Sequence, residues 1–298
     1  MKVKITILLC LLSITLYGCS GNVEYFSEKE LADYESPILF LTSEDVEEKY
    51  FITLDKPSNK VVLDYSNVWD YDSVGQTFIF SKDENGEEKI YEYNLKNGNC
   101  NCIVAESDIS KYLHIMDEDE FKSIYYHFSD CQISGVYGGV LFIYDTITEK
   151  TIYQMDLPFA NDGRICAWKD AQTFLYRTKN KIFEFYLDTG ESKCLGSDLG
   201  FAQVLSSDKT MGCSYGDENW FGVTFSPILV WNTSNYSIKK LHEGIATCAR
   251  MQISDDNKYI MFARSNINTD NQVLCIKIED ESLCTVYETE DTINDLLW

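Results

Sequence analysis

The sequence is poor in proline, histidine and positive charge. With only four prolines in 298 residues and no glycine- or serine-rich stretch, the chain has no linker, and one folded domain is expected. Its histidines, His114, His127 and His242, form no H-x-x-x-H or H-E-x-x-H pair. Each reads as a strand or loop residue and not as a ligand. The sequence also has no C-x-x-C pair, so a zinc site is not indicated. It has no G-x-S-x-G elbow, phosphate loop or dinucleotide fingerprint, which removes the commonest nucleophile and nucleotide chemistries. Ser73 stands where the aspartate of a sialidase Asp-box belongs. Against 48 acidic residues there are only 25 Lys and Arg, a net charge of −23. That charge repels phosphate backbones and excludes nucleic-acid partners. It serves solubility, or affinity for cations or a basic partner.

Long hydrophobic runs are absent as well. The longest, Ile5 to Leu16, has 12 residues, whereas a spanning helix needs roughly 20. Lys2 and Lys4 precede it and Leu16-Tyr17-Gly18-Cys19 follows. A positive start, a short apolar run and a small residue before cysteine make a secretory signal. The four-residue end resembles the lipobox of bacterial lipoproteins. The resemblance implies cleavage after residue 18, a diacylglycerol on Cys19, and a membrane partner reached through that lipid. Residues 19–35 then read as lipidated cysteine and tether, and residues 36–298 as the folded domain. Ser20 stands at the second mature position. In a host with two membranes this implies the outer membrane, facing the periplasm, and with one membrane the outer face of the cell membrane. Losing Lys2 and Lys4 takes the mature net charge from −23 to −25.

Cysteine is plentiful, with eleven in all. Setting aside Cys10 and Cys19 leaves nine, an odd number, so at least one is unpaired within the chain. Most lie in apolar strand-like runs, where cysteine acts as a small buried hydrophobe, and buried free thiols are the expectation. Cys100 and Cys102 lie two apart on a strand, about 6.6 Å between Cα atoms, at the limit of disulfide reach.

The most informative pattern is a weak repeat. Lys89-Ile-Tyr-Glu-Tyr-Asn-Leu-Lys-Asn-Gly98 parallels Lys181-Ile-Phe-Glu-Phe-Tyr-Leu-Asp-Thr-Gly190, a strand entering a glycine turn. Taking Thr53, Asn94, Asp145, Tyr186, Asn232 and Lys277 as equivalent gives six hairpins at steps of 41, 51, 41, 46 and 45 residues. An acidic turn between short strands precedes most of them: Val68–Asp72, Ile115–Asp119, Ala167–Asp170, Leu205–Asp208 and Ile253–Asp256. The last continues Asn257-Lys-Tyr-Ile-Met-Phe-Ala263 and resembles the S-P-D-G-K-x-I-A-F turn of TolB-like propeller repeats, with Asp255 and Asn257 in place of Pro and Gly.

Four-stranded units repeating every 40–50 residues are the signature of a β-propeller. The expectation is an all-β, six-bladed propeller of four-stranded antiparallel blades, TolB-like and WD-repeat-like, over residues 36–298. Ile293-Asn-Asp-Leu-Leu-Trp298 matches the first strand of a blade and Ser36–Leu41 a second strand. The C-terminal strand should therefore join the N-terminal blade and close the ring.

Candidate function falls on loops. The second-to-third-strand loops of blades three and five, Asp130 to Gly139 and Gly216 to Pro227, read as the longest. Aromatic and acidic side chains on a rigidly mounted loop suit recognition, which makes Tyr215, Asp217, Glu218 and Trp220 the candidate binding residues. The same end would carry Glu44, Asp45, Glu47, Glu48, Asp83, Glu84, Glu87 and Glu88. Asn266, Asn268 and Asp270 alternate as calcium ligands do but lack the glycine and distal glutamate of an EF-hand. No cofactor and no catalytic or metal residue is assigned. The favoured reading is a non-catalytic scaffold for an envelope protein partner. The alternatives are a metal-dependent lactonase or glycan-cleaving propeller, and a sugar- or cation-binding sensory module. Replacing Cys19 with alanine should leave the chain without lipid and move it from the membrane to the soluble fraction, as read by fractionation and the mass of the N-terminal peptide.

Overall fold

The computed structural model describes residues 25–72, 76–105, 107–108, 127–129, 132–137, 140–145, 147–156, 163–170, 172–178, 181–196, 201–215, 218–220, 223–225, 227–242, 251–266 and 269–298. Strands take 61% of the chain and helix 3%, so the fold is all-β.

The strands form six four-stranded antiparallel sheets. Sheet 1 holds Ile38–Thr42, Lys49–Thr53 and Val61–Val62, with Thr292–Leu297 as its first strand. Sheet 2 holds Asn67–Asp72, Thr77–Glu84, Glu87–Asn94 and Cys100–Ala105. Sheet 3 holds His127–Ser129, Gln132–Tyr137, Val140–Asp145 and Lys150–Asp156. Sheet 4 holds Gly163–Asp170, Thr173–Thr178, Lys181–Tyr186 and Glu191–Gly196. Sheet 5 holds Phe201–Leu205, Met211–Tyr215, Ile228–Asn232 and Ile238–His242, and sheet 6 holds Gln252–Ile253, Tyr259–Asn266, Thr269–Lys277 and Leu283–Thr289. The arrangement is a β-propeller. Five blades are found, one fewer than the spacing predicts, although the four-stranded sheets number six.

The repeat falls where the sequence put it. Each of the six equivalent residues ends the third strand of its sheet. Asn94, Asp145, Tyr186, Asn232 and Lys277 are followed four positions later by a left-handed residue: Gly98, Glu149, Gly190, Tyr236 and Glu281. The cause is local. Asn94 Oδ1 accepts from the amides of Lys96 and Asn97, and Asp145 and Asn232 repeat the arrangement with Ile147 and Thr148 and with Ser234 and Asn235. The acidic turns of sheets 5 and 6 also match each other. Ser206 and Ser254 accept from the amides of Met211 and Tyr259, while Lys209 and Asn257 take positive φ. Asn257 does here what glycine does in the TolB-like turn, because asparagine tolerates that region.

Neighbouring sheets bury apolar layers between them. Phe40 and Phe51 of sheet 1 meet Phe78, Phe80 and Tyr93 of sheet 2, with Phe40 and Phe78 edge-on at 5.0 Å and Phe78 and Tyr93 stacked at 5.2 Å. Each such ring contributes about 1.5–3 kcal/mol by burial. The ring closes as expected. Ile38, Leu39, Phe40, Leu41 and Thr42 pair with Leu297, Leu296, Asp295, Ile293 and Thr292.

Three expectations change. Residues 130–139 are not a long loop, because Gln132–Tyr137 is the second strand of sheet 3. Gly135 and Ser134 break the alternation of apolar residues that marks a strand. Nor are the thiols uniformly buried. Cys213, Cys275 and Cys284 are, but Cys100, Cys102 and Cys194 are exposed on outermost strands, and all six are free. Finally, the segment expected as tether is packed on the propeller from Tyr25 onward. Phe26, Leu31 and Tyr34 lie against sheets 6 and 1, and Trp298 Nε1 donates to Glu35 O at 2.8 Å.

Gly212 of sheet 5 cannot accept a side chain without a shift of its neighbours. A Cβ there would lie inside the indole of Trp231, its ladder partner. Gly212→Ala should cost about 1–3 kcal/mol through overpacking, read as a lower urea midpoint at unchanged slope. A neutral result would mean that the indole does not lie on this glycine.

Candidate functional site

Antiparallel strands alternate in direction, so second-to-third-strand loops and inter-sheet connections share one end of the propeller. Two contacts pin them together. The amide of Glu44, in the loop before Lys49–Thr53, donates to Asp291 Oδ1 at 3.4 Å, and Ser107 donates to Glu87. This end is strongly acidic. Glu44, Asp45, Glu47, Glu48 and Asp83 are exposed. Lysines at this end pair with other carboxylates: Lys82 and Lys89 with Glu84, at 3.5 and 3.0 Å, and Lys60 with Asp291 at 3.4 Å. Glu44, Asp45, Glu47 and Glu48 form no ion pair among the described residues, and Glu88 Oε1 is buried without a hydrogen-bond partner.

Asp291 is the centre of this end. It sits on the connection into the closing strand, accepts from the Tyr50 hydroxyl and the Glu44 amide, and faces Lys60. Lys60 Nζ also lies over the Tyr50 ring, 4.4 Å from its centroid. Burial opposes ionisation of Asp291, but Tyr50, the Glu44 amide and Lys60 outweigh it and hold the carboxyl below its ordinary value. Burial, then the Asp291 hydrogen bond, pushes the Tyr50 hydroxyl well up, so it remains a donor. Beside them the ladder slips between Phe40 and Leu41. That bulge takes Asn294 out of the register, and Asn294 Nδ2 donates to Thr42 Oγ1 at 2.7 Å and to the Tyr65 hydroxyl at 2.8 Å. Asn271 donates to the Asp291 carbonyl at 2.9 Å.

The candidate residues from the sequence lie in sheet 5 and its loop. Tyr215 ends the second strand, paired with Ile228, and is buried among residues of sheets 5 and 6. Its ring is part of that core and presents no contact surface. Glu218 and Trp220 lie on a separate hairpin, Glu218–Trp220 with Val223–Phe225, which forms a two-stranded sheet of its own. Asp217 lies outside the described residues, as do Cys19, His114, the Ile115–Asp119 turn and Asn268. Asn266 pairs with Thr269 across a tight hairpin, and among the described residues no group of three His, Cys, Asp or Glu is placed to hold a metal.

Sequence reasoning missed a second polar centre. Glu184 of sheet 4 is buried, with Lys169 Nζ at 2.5 Å and the hydroxyls of Tyr186 and Tyr236 at 2.6 and 2.7 Å. The equivalent positions in sheets 1, 5 and 6 are Phe51, Val230 and Cys275, all buried, and that in sheet 2 is Glu92, which is half-buried. Burial raises the Glu184 pKa, but Lys169 and the two hydroxyls lower it further, and the net direction is down. The sequence does not single it out, because sheet 2 carries a glutamate, Glu92, in the same slot of the repeat.

Asp291 supplies a pH test. With its pKa depressed in the fold, its contribution is present above the ordinary 3.8 and is lost as pH falls through the folded value. Asp291→Asn should therefore lower stability at neutral pH, and the gap from the parent should close in acid, as measured by urea unfolding across pH.

No protein-family model matches this chain, and no curated protein matches it. Solved structures do. TolB from Acinetobacter baumannii is 10% identical with a TM-score of 0.59, and the match covers 87% of this chain and 65% of that one. The chain thus spans just under two-thirds of TolB's length. A propeller from the nidogen/laminin complex is 11% identical with a TM-score of 0.55, covering 88% and 97%. A putative 6-phosphogluconolactonase from Bacteroides fragilis is 9% identical with a TM-score of 0.50, covering 89% and 98%. At these identities the likeness is one of fold, and in fold this chain is a TolB-like β-propeller.

Proposed function

We propose that this chain is an extracytoplasmic lipoprotein, held to a membrane through Cys19, whose propeller is a non-catalytic scaffold for a protein partner in the cell envelope. The observation that carries the reading is the acidic end. Four exposed carboxylates, Glu44, Asp45, Glu47 and Glu48, stand on one short loop, and that loop is fastened to the ring seam through Asp291. Local cations do not neutralise them, so they offer a fixed negative surface to a basic partner, and such surfaces govern encounter and register. The hairpin of Glu218–Trp220 and Val223–Phe225 belongs to the same end, and its tryptophan is of the residue type enriched where interface energy concentrates. A TolB fold neighbour and one solved in a nidogen/laminin complex support a protein partner. The Bacteroides neighbour favours a second reading, a lactonase-type enzyme that uses the same end.

Crosslinking and pull-down from envelope membranes test the scaffold. Glu44→Gln with Asp45→Asn, Glu47→Gln and Glu48→Gln, and separately Asp217→Ala with Trp220→Ala, should each deplete the captured partner. A variant pair that keeps every partner would sink the reading. Metal content and calcium-dependent melting of the mature domain with Cys19 replaced distinguish the enzyme: a bound divalent ion, or a melting temperature rising steeply with calcium, favours it over the scaffold.

A further inference from the structure

We infer that the rim formed by the outermost strands of sheets 6 and 1 is the surface that lies against the lipid bilayer, so that the propeller stands edge-on with both ends of its axis open. This rests on the reading of Cys19 as the lipidated residue.

The first observation is where the chain joins the propeller. Tyr25 bridges in parallel to Leu283 on the outermost strand of sheet 6, and the Phe26 amide donates to Leu283 O at 3.0 Å. The following turn is fastened too: Lys277 pairs with Glu30 at 3.2 Å, and the Tyr34 hydroxyl donates to Asp256 Oδ2 at 2.7 Å. From Tyr25 onward the chain is part of the folded body. Only residues 20–24 separate it from Cys19. Six residue steps span at most about 20–22 Å fully extended. Tyr25 can stand no farther than that from the lipid, and the rim beside it is the nearest part of the propeller.

The second observation is charge. The outermost strands of sheets 3, 4 and 5 carry Lys150, Asp156, Glu191, Lys193, Lys239 and Lys240. Those of sheets 6, 1 and 2 carry Glu288 alone. On contact with head groups these strands of sheets 6, 1 and 2 have the fewest charged side chains to desolvate, and Glu28, Glu30, Asp33 and Glu35, exposed on the segment that packs beside them, restrict the rim to zwitterionic lipid. Tyr25 and Val62, 75% and 60% exposed, stand on it and can enter the head-group layer. Edge-on mounting keeps the acidic end clear of the bilayer, as a partner from solution requires.

The test uses the full lipidated chain in phosphatidylcholine vesicles, with a photoreactive side chain placed singly at position 62, 285 or 239. Lipid adducts should form several-fold more at 62 and 285 than at 239, and a long Gly/Ser spacer inserted after Asn22 should level the three. Equal adducts in the parent, with the protein still floating on the vesicles, overturn the edge-on mounting and leave the anchor intact. No lipid mass on the N-terminal peptide and no flotation overturn the anchor, and the inference with it.

Discussion

The fold depends on one ladder, the pairing of Thr292–Leu297 with Ile38–Thr42. A propeller blade cannot bury both faces alone, so every sheet needs a neighbour on each side. An open ring would leave two exposed sheet faces and an unpaired edge. Pairing strands some 250 residues apart in sequence also costs loop-closure entropy, which grows only slowly with length. Here Leu39, Leu296, Met261 and Val273 share one buried cluster across the seam, so closure and the packing between sheets 6 and 1 form together. The polar centre lies on the same seam. Asp291, Tyr50, Asn294 and Tyr65 meet because the ring closes there.

Away from the seam the sheets are joined by two kinds of contact. Aromatic and aliphatic layers supply most of the burial. Polar latches fix the register between turns. Ser207 donates to Asp255 Oδ1 at 2.5 Å, and Asn257 Nδ2 to Asp208 Oδ2 at 2.8 Å, joining the acidic turns of sheets 5 and 6. The Asp208 carboxyl is held down to about 2, first by the Thr210 amide and then by Ser206, against a small opposing effect of burial. The acidic turns that mark the repeat are thus structural at these two sites. The Glu184–Lys169 pair lies within sheet 4 and reaches sheet 5 through the Tyr236 hydroxyl, which donates to Glu184. A buried ion pair adds little net stability over an apolar pair of similar size, and here the Tyr236 hydrogen bond ties it to the neighbouring sheet.

The functional reading therefore rests on the carboxylates that structure does not consume. Asp208, Asp256, Asp291 and Glu184 are each occupied by hydrogen bonds within the fold. Glu44, Asp45, Glu47 and Glu48 are exposed and make no ion pair among the described residues. The comparisons show the fold and no more. A propeller hosts many functions, so the case for a partner comes from this surface and its charge.

The sequence by itself determined the parts that local chemistry controls. Asn94, Asp145 and Asn232 cap their own turns, and the four-residue offset to Gly98, Glu149 and Tyr236 can be read residue by residue. Closure was legible too, because Ile293–Trp298 repeats a first strand that has no sheet of its own. Tertiary structure alone decided what depends on residues far apart in the chain. Tyr215 reads as a loop aromatic but is buried, because sheet 6 packs against it. Asp291 is one acid among 48 in the sequence, and only closure brings Tyr50 and Lys60 to it. The packing of Phe26 to Tyr34 is set by Tyr259 and Trp298, more than 220 residues away. Turn geometry is fixed by neighbours in the chain, and burial and charge pairing by neighbours in space, so the first is legible in sequence and the second is not.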